Sequence, residues 1–308
     1  MGPVLAHGPQ DDEKSTQPWN RPFRGCVILS QTPDSDGRHV WDGMMRWQGC
    51  CWFLLIAATI NRLDAAEESV GTIILHGGGT VDPVVRNKFL ELAGGEAAQI
   101  VVIPTADPDT PLDESRLEPW RNRKLLSVQL LHAESREESE PEAFAEPLRH
   151  ATGVWMTGGW QTRLASRYLN TPVERELTEL LKRGGVIFGT SAGAAVLSQV
   201  MIVRGETREG FDLVRNAVID QHFLVRNREE RLWNVLARHP DRFGLGIDED
   251  TAAVIQGPRL TVLGESTVTV CAPLSSGEAR RQSRLQAGDL FDLGQLQIPR
   301  SPRLGAAD

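Results

Sequence analysis

Short apolar runs alternate with amphipathic stretches along the chain from residue 71 onward. The runs TIILH at Thr72–His76 and QIVVI at Gln99–Ile103 predict buried strands, because they are short and mostly apolar. The stretch between them begins at Pro83 and carries apolar residues at helical spacing, which predicts a helix. Strands that alternate with helices indicate βα units around a mainly parallel sheet, so the predicted fold class is α/β.

The alternation continues to about residue 270. Further strands are predicted at 127–131, 153–156, 186–188, 217–219, 246–254 and 259–270. Further helices are predicted at 113–124, 162–168, 173–183 and directly after residue 191. The acidic stretch ESREESEPE at 134–142 predicts a solvated loop. Residues 67–297 are expected to form a single α/β domain, followed by a loose tail at 298–308.

The first 43 residues have a different character. They lack apolar periodicity and are rich in Pro, Gly, Asp, Gln and Arg. Such a composition predicts a disordered extension, or a stretch that precedes the true start of translation at Met44 or Met45.

Residues 44–66 have the order of a secretory signal peptide. A start containing Arg46 precedes the apolar run at 49–60, and the small pair Ala65 and Ala66 follows it. The run is too short to span a bilayer, which takes about 20 apolar residues. Cleavage near Ala65 or Ala66 would give a secreted or periplasmic protein. The alternative is a helix in an N-terminal extension of a cytoplasmic protein.

The overall charge and the cysteines narrow the possible partners. The chain has 33 Lys and Arg against 41 Asp and Glu, a formal charge of −8. Without a long basic run, nucleic acid is not an expected partner. Three of the four cysteines lie within the first 51 residues and no CxxC pattern occurs, so neither a disulfide framework nor a cysteine metal site is expected.

A candidate nucleophile lies in the sequence GTSAG at 189–193. It matches G-x-S-x-G, follows the apolar strand VIF and precedes a run that favours a helix. A sharp turn from strand to helix would expose the hydroxyl of Ser191 and place it at a helix N-terminus. The alternative is a Gly-rich turn or phosphate-binding loop without chemistry. No GK[ST] follows, which excludes a P-loop.

A serine nucleophile requires a base, and the chain has seven histidines. His222 is the best candidate, because it lies in IDQHF directly after the apolar stretch at 217–219, where a strand end would present it. A structural histidine is the alternative at this position.

Several segments in order resemble the cyanophycinase branch of serine peptidase family S51, which also holds aspartyl dipeptidase. They are HGGG at 76–79, MTGGWQ at 156–161, GTSAGAAVLSQVMIVRGE at 189–206, DQHFLVRNREERL at 220–232 and GLGIDEDTA at 244–252. The resemblance covers residues 71–295. It implies a flavodoxin-like, mainly parallel sheet sandwiched by helices, as in class I glutamine amidotransferases, with Ser in place of their Cys.

The resemblance also implies roles for individual residues. Ser191 would be the nucleophile, His222 the general base, and Glu206 the acid that orients the base, with Glu209 as the alternative. The oxyanion hole would consist of backbone N–H groups of Gly158 or Gly159 and of Ala192. The substrate would be bound by Gln161, Asp220, Gln221, Arg226, Arg228 and Arg231.

The implied substrate is cyanophycin, a poly-aspartate backbone with an arginine joined to each side-chain carboxyl. Arginines would bind its carboxylates, and carboxylates such as Asp220 its guanidinium groups. Alternatively, Arg226, Arg228 and Arg231 would pair with Glu229 and Glu230.

The function expected from the resemblance is that of a serine-type exopeptidase acting through an acyl-enzyme on aspartyl bonds of cyanophycin or β-aspartyl-arginine-like substrates. No metal or organic cofactor is required for this chemistry. The expected partner is a peptide or cyanophycin-like polymer. A homodimer is one assembly open to the chain, and the sequence does not decide the oligomeric state. An aspartyl or isoaspartyl dipeptidase is the alternative enzyme. A catalytically silent binding protein on the same scaffold is the alternative from another class.

Overall fold

The computed structural model describes residues 71–108, 114–274 and 279–296. The predictions for residues 1–66, which include the signal peptide, and for the tail at 298–308 lie outside these residues. Within the described part of the chain, no helix combines the length and the apolar character needed to cross a bilayer.

The described residues form two sheets with helices between their strands. The strands are β1 Thr72–His76, β2 Gln99–Ile103, β3 Ser127–Leu130, β4 Gly153–Met156, β5 Val186–Thr190, β6 Ser198–Val203, β7 Glu206–Glu209, β8 Val214–Gln221, β9 Phe243–Ile247, β10 Thr251–Gln256, β11 Arg259–Gly264, β12 Val268–Cys271, β13 Gln282–Leu285 and β14 Leu290–Asp292. The α-helices are α1 Pro83–Leu92, α2 Glu118–Arg121, α3 Arg136–Ser139, α4 Glu146–His150, α5 Gln161–Tyr168, α6 Pro172–Lys182, α7 Ala192–Ala195 and α8 Glu229–Leu236. Single 3₁₀ turns lie at Gly95–Ala97, Glu114–Leu117, Glu142–Ala145 and Leu293–Leu296.

The larger sheet confirms the predicted flavodoxin-like α/β fold. Its strand order is β14-β11-β10-β1-β5-β4-β2-β3, and all pairs from β1 to β3 are parallel. Strands β10, β11 and β14 extend it with antiparallel pairs. Alternate residues of β1 face opposite sides, since Ile73 and Leu75 pack with Leu177 of α6 while Ile74 packs with Phe89 of α1. Helices therefore cover both faces of the sheet.

A second, six-stranded sheet is the main departure from the predicted layout. Its order is β13-β12-β9-β8-β6-β7. The strand predicted at 246–254 is two strands, β9 and β10, which belong to different sheets because the chain turns at Asp250, where φ is 56°. The strand predicted at 259–270 is likewise divided into β11 and β12 after Gly264, where φ is 108°. Apolar content predicted these strands, but it could not locate the turns within them.

Two local predictions were also wrong. The helix expected after Ser191 is a single turn, α7, and the chain enters β6 at Ser198, whose hydroxyl donates to the carbonyl of Ala195 over 2.7 Å. The acidic stretch at 134–142 is not simply a solvated loop, since it contains α3. Ser139 of α3 is buried and donates to the carbonyl of Arg167 over 2.5 Å, which ties the stretch to α5.

Candidate active site

The turn that carries Ser191 follows β5 directly and begins α7. Ser191 has φ 50° and ψ −108°, a conformation that costs a non-glycine residue about 1–3 kcal/mol. Its N–H donates to the carbonyl of His76 over 2.9 Å, which holds the turn against β1. A β-carbon at Gly189 would lie 2.3 Å from the carbonyl oxygen of Gly193, so only glycine fits there. The backbone segments before and after Ser191 therefore lie close together, and this tight turn presents the Ser191 hydroxyl at the strand ends.

An imidazole reaches this hydroxyl from the second sheet. His222 follows β8, and its Nε2 lies 2.8 Å from the Oγ of Ser191. The backbone of His222 is fixed next to β1, because its N–H donates to the carbonyl of Gly77 over 2.8 Å. His222 is the predicted base, and the structure brings it into contact with Ser191, the predicted nucleophile.

The carboxylate that contacts the imidazole is Glu249, and this corrects the expectation for Glu206 and Glu209. Oε1 of Glu249 lies 2.5 Å from Nδ1 of His222. Strands β8 and β9 are parallel with Gln221 opposite Ile247, so the residues that follow the two strands lie side by side. Glu206 and Glu209 lie on β7 at the edge of the second sheet, where both are exposed and neither contacts the imidazole.

The acids on either side of Glu249 fix its loop. Oδ1 of Asp248 accepts the N–H groups of Leu224 and Val225 over 3.0 and 3.1 Å, which joins the loop to the segment after His222. Oδ1 of Asp250 accepts the N–H of Thr80 over 2.6 Å, which joins it to the segment after β1. Glu249 is thus held between two anchored neighbours and directed at the ring. The acidic triplet directly after a buried apolar run was the sequence signal for this role.

A second histidine, His76, lies buried below the site. Its Nδ1 accepts the N–H of Gly78 over 3.2 Å and lies 3.0 Å from Oγ1 of Thr190, next to the nucleophile. Burial lowers the pKa of His76 from 6.5 to about 4. The ring therefore stays neutral near pH 7 and links β1 to β5 beneath the Ser191 turn.

Burial also lowers the pKa of His222 below its usual value of 6.5. The hydrogen bond and the charge of Glu249 act in the opposite direction, while the guanidinium groups of Arg226 and Arg228 lower the pKa further. The neutral imidazole, the form that can accept a proton, is therefore favoured at neutral pH.

The predicted oxyanion donors lie on two sides of Ser191. Ala192 is the first residue of α7, and the first N–H groups of a helix have no partner within it. A β-carbon at Gly158 would lie 3.4 Å from Cβ and 4.0 Å from Oγ of Ser191, so this glycine lies against the nucleophile. Gly159 packs instead on Ala106, whose carbonyl oxygen would lie 2.2 Å from a β-carbon there. Gly159 also lines the cavity that contains Ser191.

A cavity of about 720 Å³ opens beside Ser191 and His222. Its wall includes five of the six predicted substrate-binding residues: Gln161, Gln221, Arg226, Arg228 and Arg231. The side-chain amide of Gln161 donates to the carbonyl of Ile202 over 2.8 Å, so this residue also fastens the strand β6 that borders the cavity.

The sixth, Asp220, cannot bind a substrate guanidinium as expected. It is fully buried, and both of its oxygens bind Arg231, with Arg228 at 3.4 Å from Oδ1. The expected pairing of the arginines with Glu229 and Glu230 is not found in the described residues either, because Glu230 pairs with Arg280 and Glu229 accepts from Gln282. Asp220 positions two arginines at the cavity wall.

Gly78 provides the space in which the His222 ring lies. Its φ is 106°, and a β-carbon there would lie 2.1 Å from Cε1 of the ring. We expect Gly78→Ala to lower kcat/KM at least about 100-fold, because the ring must move from Ser191 or Glu249 and an error of about 1 Å in a reacting group has that cost.

The matched control for this prediction is Gly94→Ala. Gly94 has a similar φ of 107°, but the nearest atom to a β-carbon there is 3.8 Å away. Both variants place a β-carbon at a positive φ and should lose stability in thermal unfolding, but only Gly78→Ala should lose activity. Equal kcat/KM values in the two variants would show that the ring does not depend on this glycine.

A serine at the end of a strand of the larger sheet forms one hydrogen-bonded row with an imidazole and a carboxylate that follow strands of the second sheet. Such a row defines a serine hydrolase site. Residues 73–263 match the model of peptidase family S51. The chain belongs to this family and is a serine peptidase of the cyanophycinase type.

Individual relatives agree with the family match. A cyanophycinase of Geminocystis herdmanii is 34% identical over 63% of this chain and 78% of its own length. A cyanophycinase of Trichormus variabilis is 36% identical over 67% of this chain and 75% of its own length. The crystal structure of a peptidase from an acI-B1 Actinobacterium superimposes with a TM-score of 0.55 at 26% identity, covering 72% of this chain and 97% of that one.

Proposed function

We propose that the chain hydrolyses aspartyl peptide bonds of cyanophycin, or of similar substrates that carry arginine on aspartate, through an acyl-enzyme on Ser191. The observation that carries this proposal is the continuous row from Ser191 through His222 to Glu249, which opens onto an arginine-lined cavity. The names of the relatives support the choice of substrate, and the arginines suit its carboxylates.

The mechanism follows from the contacts at each atom. Nε2 of His222 accepts the proton as the Oγ of Ser191 attacks the aspartyl carbonyl, and Nδ1 keeps its proton in the bond to Glu249. The backbone N–H of Ala192 and that of Gly158 or Gly159 stabilise the oxyanion, each by about 3 kcal/mol. His222 then gives its proton to the leaving amine. Water attacks the acyl-enzyme with His222 again as base, which releases the acid and restores Ser191.

The test combines labelling with product analysis on the full-length chain. Only an activated serine reacts readily with a fluorophosphonate, so labelling at Ser191 is expected, whereas a silent binding protein would stay unlabelled. Incubation with insoluble cyanophycin should release β-aspartyl-arginine. Cleavage of aspartyl dipeptides without release from the polymer would identify the dipeptidase alternative instead. Export after cleavage near Ala65 or Ala66 stays a prediction from the sequence.

The pH dependence of kcat/KM tests the role of His222. Below its pKa the imidazole is protonated and cannot accept the proton of Ser191, so activity falls on the acid side. Because burial and two arginines lower this pKa, we expect the midpoint of the acid limb below the usual value of about 6.5. A profile of kcat/KM from pH 4.5 to 8.5 measures it, and a midpoint at or above the usual value would contradict the role assigned to this environment.

A further inference from the structure

The hairpin of β6 and β7 forms one wall of the cavity beside Ser191. It contributes Arg204 at its turn, and Glu206 and Arg208 two residues apart on β7. The facing wall contributes Arg226, Arg228 and Arg231. Among the residues that the structure describes, the charged groups that line the cavity are therefore five arginines and one glutamate, in addition to His222.

Only part of this charge is neutralised within the protein. Arg228 and Arg231 bind the buried Asp220. The side chains of Arg204, Glu206, Arg208 and Arg226 form no ion pair or side-chain hydrogen bond with any residue that the structure describes. Glu206 is surrounded by cationic neighbours but pairs with none of them, so its carboxylate is available to a ligand.

This arrangement suits a ligand that carries carboxylates together with a cationic group. Guanidinium groups bind carboxylates bidentately, and a carboxylate is the complementary partner for a guanidinium or ammonium group. Because Asp220 is buried and occupied, Glu206 is the lining carboxylate that remains for the cation. An arginine-only wall would repel such a cation.

We propose that Glu206 is a specificity-determining residue that binds the cationic side chain of the substrate, while Arg204, Arg208 and Arg226 bind its carboxylates. The assignment rests on the proposed function in that the bound molecule is the substrate cleaved at Ser191. The β6–β7 hairpin would then select substrates, while Ser191, His222 and Glu249 carry out the hydrolysis.

The test compares two aspartyl oligopeptides that differ only in the group joined to the side-chain carboxyl of aspartate, arginine in one and citrulline in the other. Citrulline has nearly the shape of arginine without its charge. The wild-type chain should prefer the arginine peptide in kcat/KM. Glu206→Gln should lower this preference about 10- to 100-fold, the range for a hydrogen bond to a charged group. The loss should appear as a higher KM for the arginine peptide, while the KM for the citrulline peptide stays nearly unchanged.

Glu209→Gln is the matched control. Glu209 lies three residues further along β7, is exposed, and is not part of the cavity wall. It removes the same charge from the same hairpin, so the preference for arginine should stay at the wild-type value. An unchanged preference in Glu206→Gln, or an equal loss in Glu209→Gln, would overturn the assignment.

Calorimetric binding of both peptides in a Ser191→Ala background separates this inference from the proposed function. If neither peptide is hydrolysed by the wild-type chain but Glu206→Gln still loses discrimination in binding, the proposed hydrolysis is refuted and the role of Glu206 is supported. If both peptides are hydrolysed and bound with the same preference with and without Glu206, the inference is refuted and the hydrolysis stands. If neither peptide binds, both are refuted.

Discussion

Replacement of Ser191 by Ala is expected to lower kcat by about 10⁶-fold, the size of effect seen when the nucleophile of a serine peptidase is removed. The hydroxyl lies 2.8 Å from Nε2 of His222, and the described residues offer no other nucleophile in that contact. Without the hydroxyl, the imidazole has no side-chain nucleophile to activate, so no acyl-enzyme can form. The measurement is the initial rate of release of β-aspartyl-arginine from cyanophycin, with the fluorophosphonate label as a second readout.

The fold should be unaffected by this change. Alanine keeps the β-carbon, so the turn at φ 50° is no more strained than before, and the backbone N–H still donates to His76. The lost hydrogen bond to His222 contributes about 1 kcal/mol to the free energy of unfolding, so the shift in Tm should be a few degrees. Thr190→Ser is a useful comparison, because it keeps the hydroxyl that contacts His76 and should keep activity. Turnover by Ser191→Ala above about 10⁻³ of the wild-type rate would exclude an acyl-enzyme on this residue.

The contact between Ser191 and His222 could be predicted because local sequence determines the positions of both residues. The apolar run VIF must form a strand, and the glycines around Ser191 permit the tight turn whose backbone passes within 2.3 Å of a β-carbon at Gly189. His222 follows the strand β8 in the same way. Both residues lie at the carboxyl ends of parallel strands, where sites in α/β sheets form.

The carboxylate that contacts His222 could not be predicted from local sequence, because its identity depends on which strands are neighbours. Glu206 lies close to Ser191 along the chain, but β7 lies at the edge of the second sheet. Glu249 is 58 positions after Ser191 along the chain, and only the parallel register of β8 with β9 brings it to the imidazole. The division of 246–254 into β9 and β10 was missed for the same reason, since the turn at 248–250 is also the loop that carries the acid.

Replacement of Glu249 by Gln is expected to lower kcat by about 10²- to 10⁴-fold, the upper value being that of the amide substitution in the Ser-His-Asp triad. Glutamine keeps the shape of the side chain but loses the charge that stabilises the imidazolium formed when His222 accepts the proton. The hydrogen bond and charge of Glu249 raise the pKa of His222, so their loss lowers it further. The acid limb of kcat/KM should therefore move to lower pH while the plateau falls.

A shift of the acid limb together with a lower plateau distinguishes an electrostatic role of Glu249 from a structural one. A variant that merely loosened the loop would lose activity without moving the acid limb, because His222 would keep its charge partner. Glu206→Gln and Glu209→Gln are the comparisons, since both remove a carboxylate near the site along the chain without touching the imidazole. Each variant should keep the wild-type midpoint of the acid limb of kcat/KM, and Glu209→Gln should also keep the wild-type plateau value. If Glu206→Gln moved the limb and Glu249→Gln did not, the acid of this site would be the one indicated by proximity in sequence, and the contact of Glu249 with His222 would have no part in catalysis.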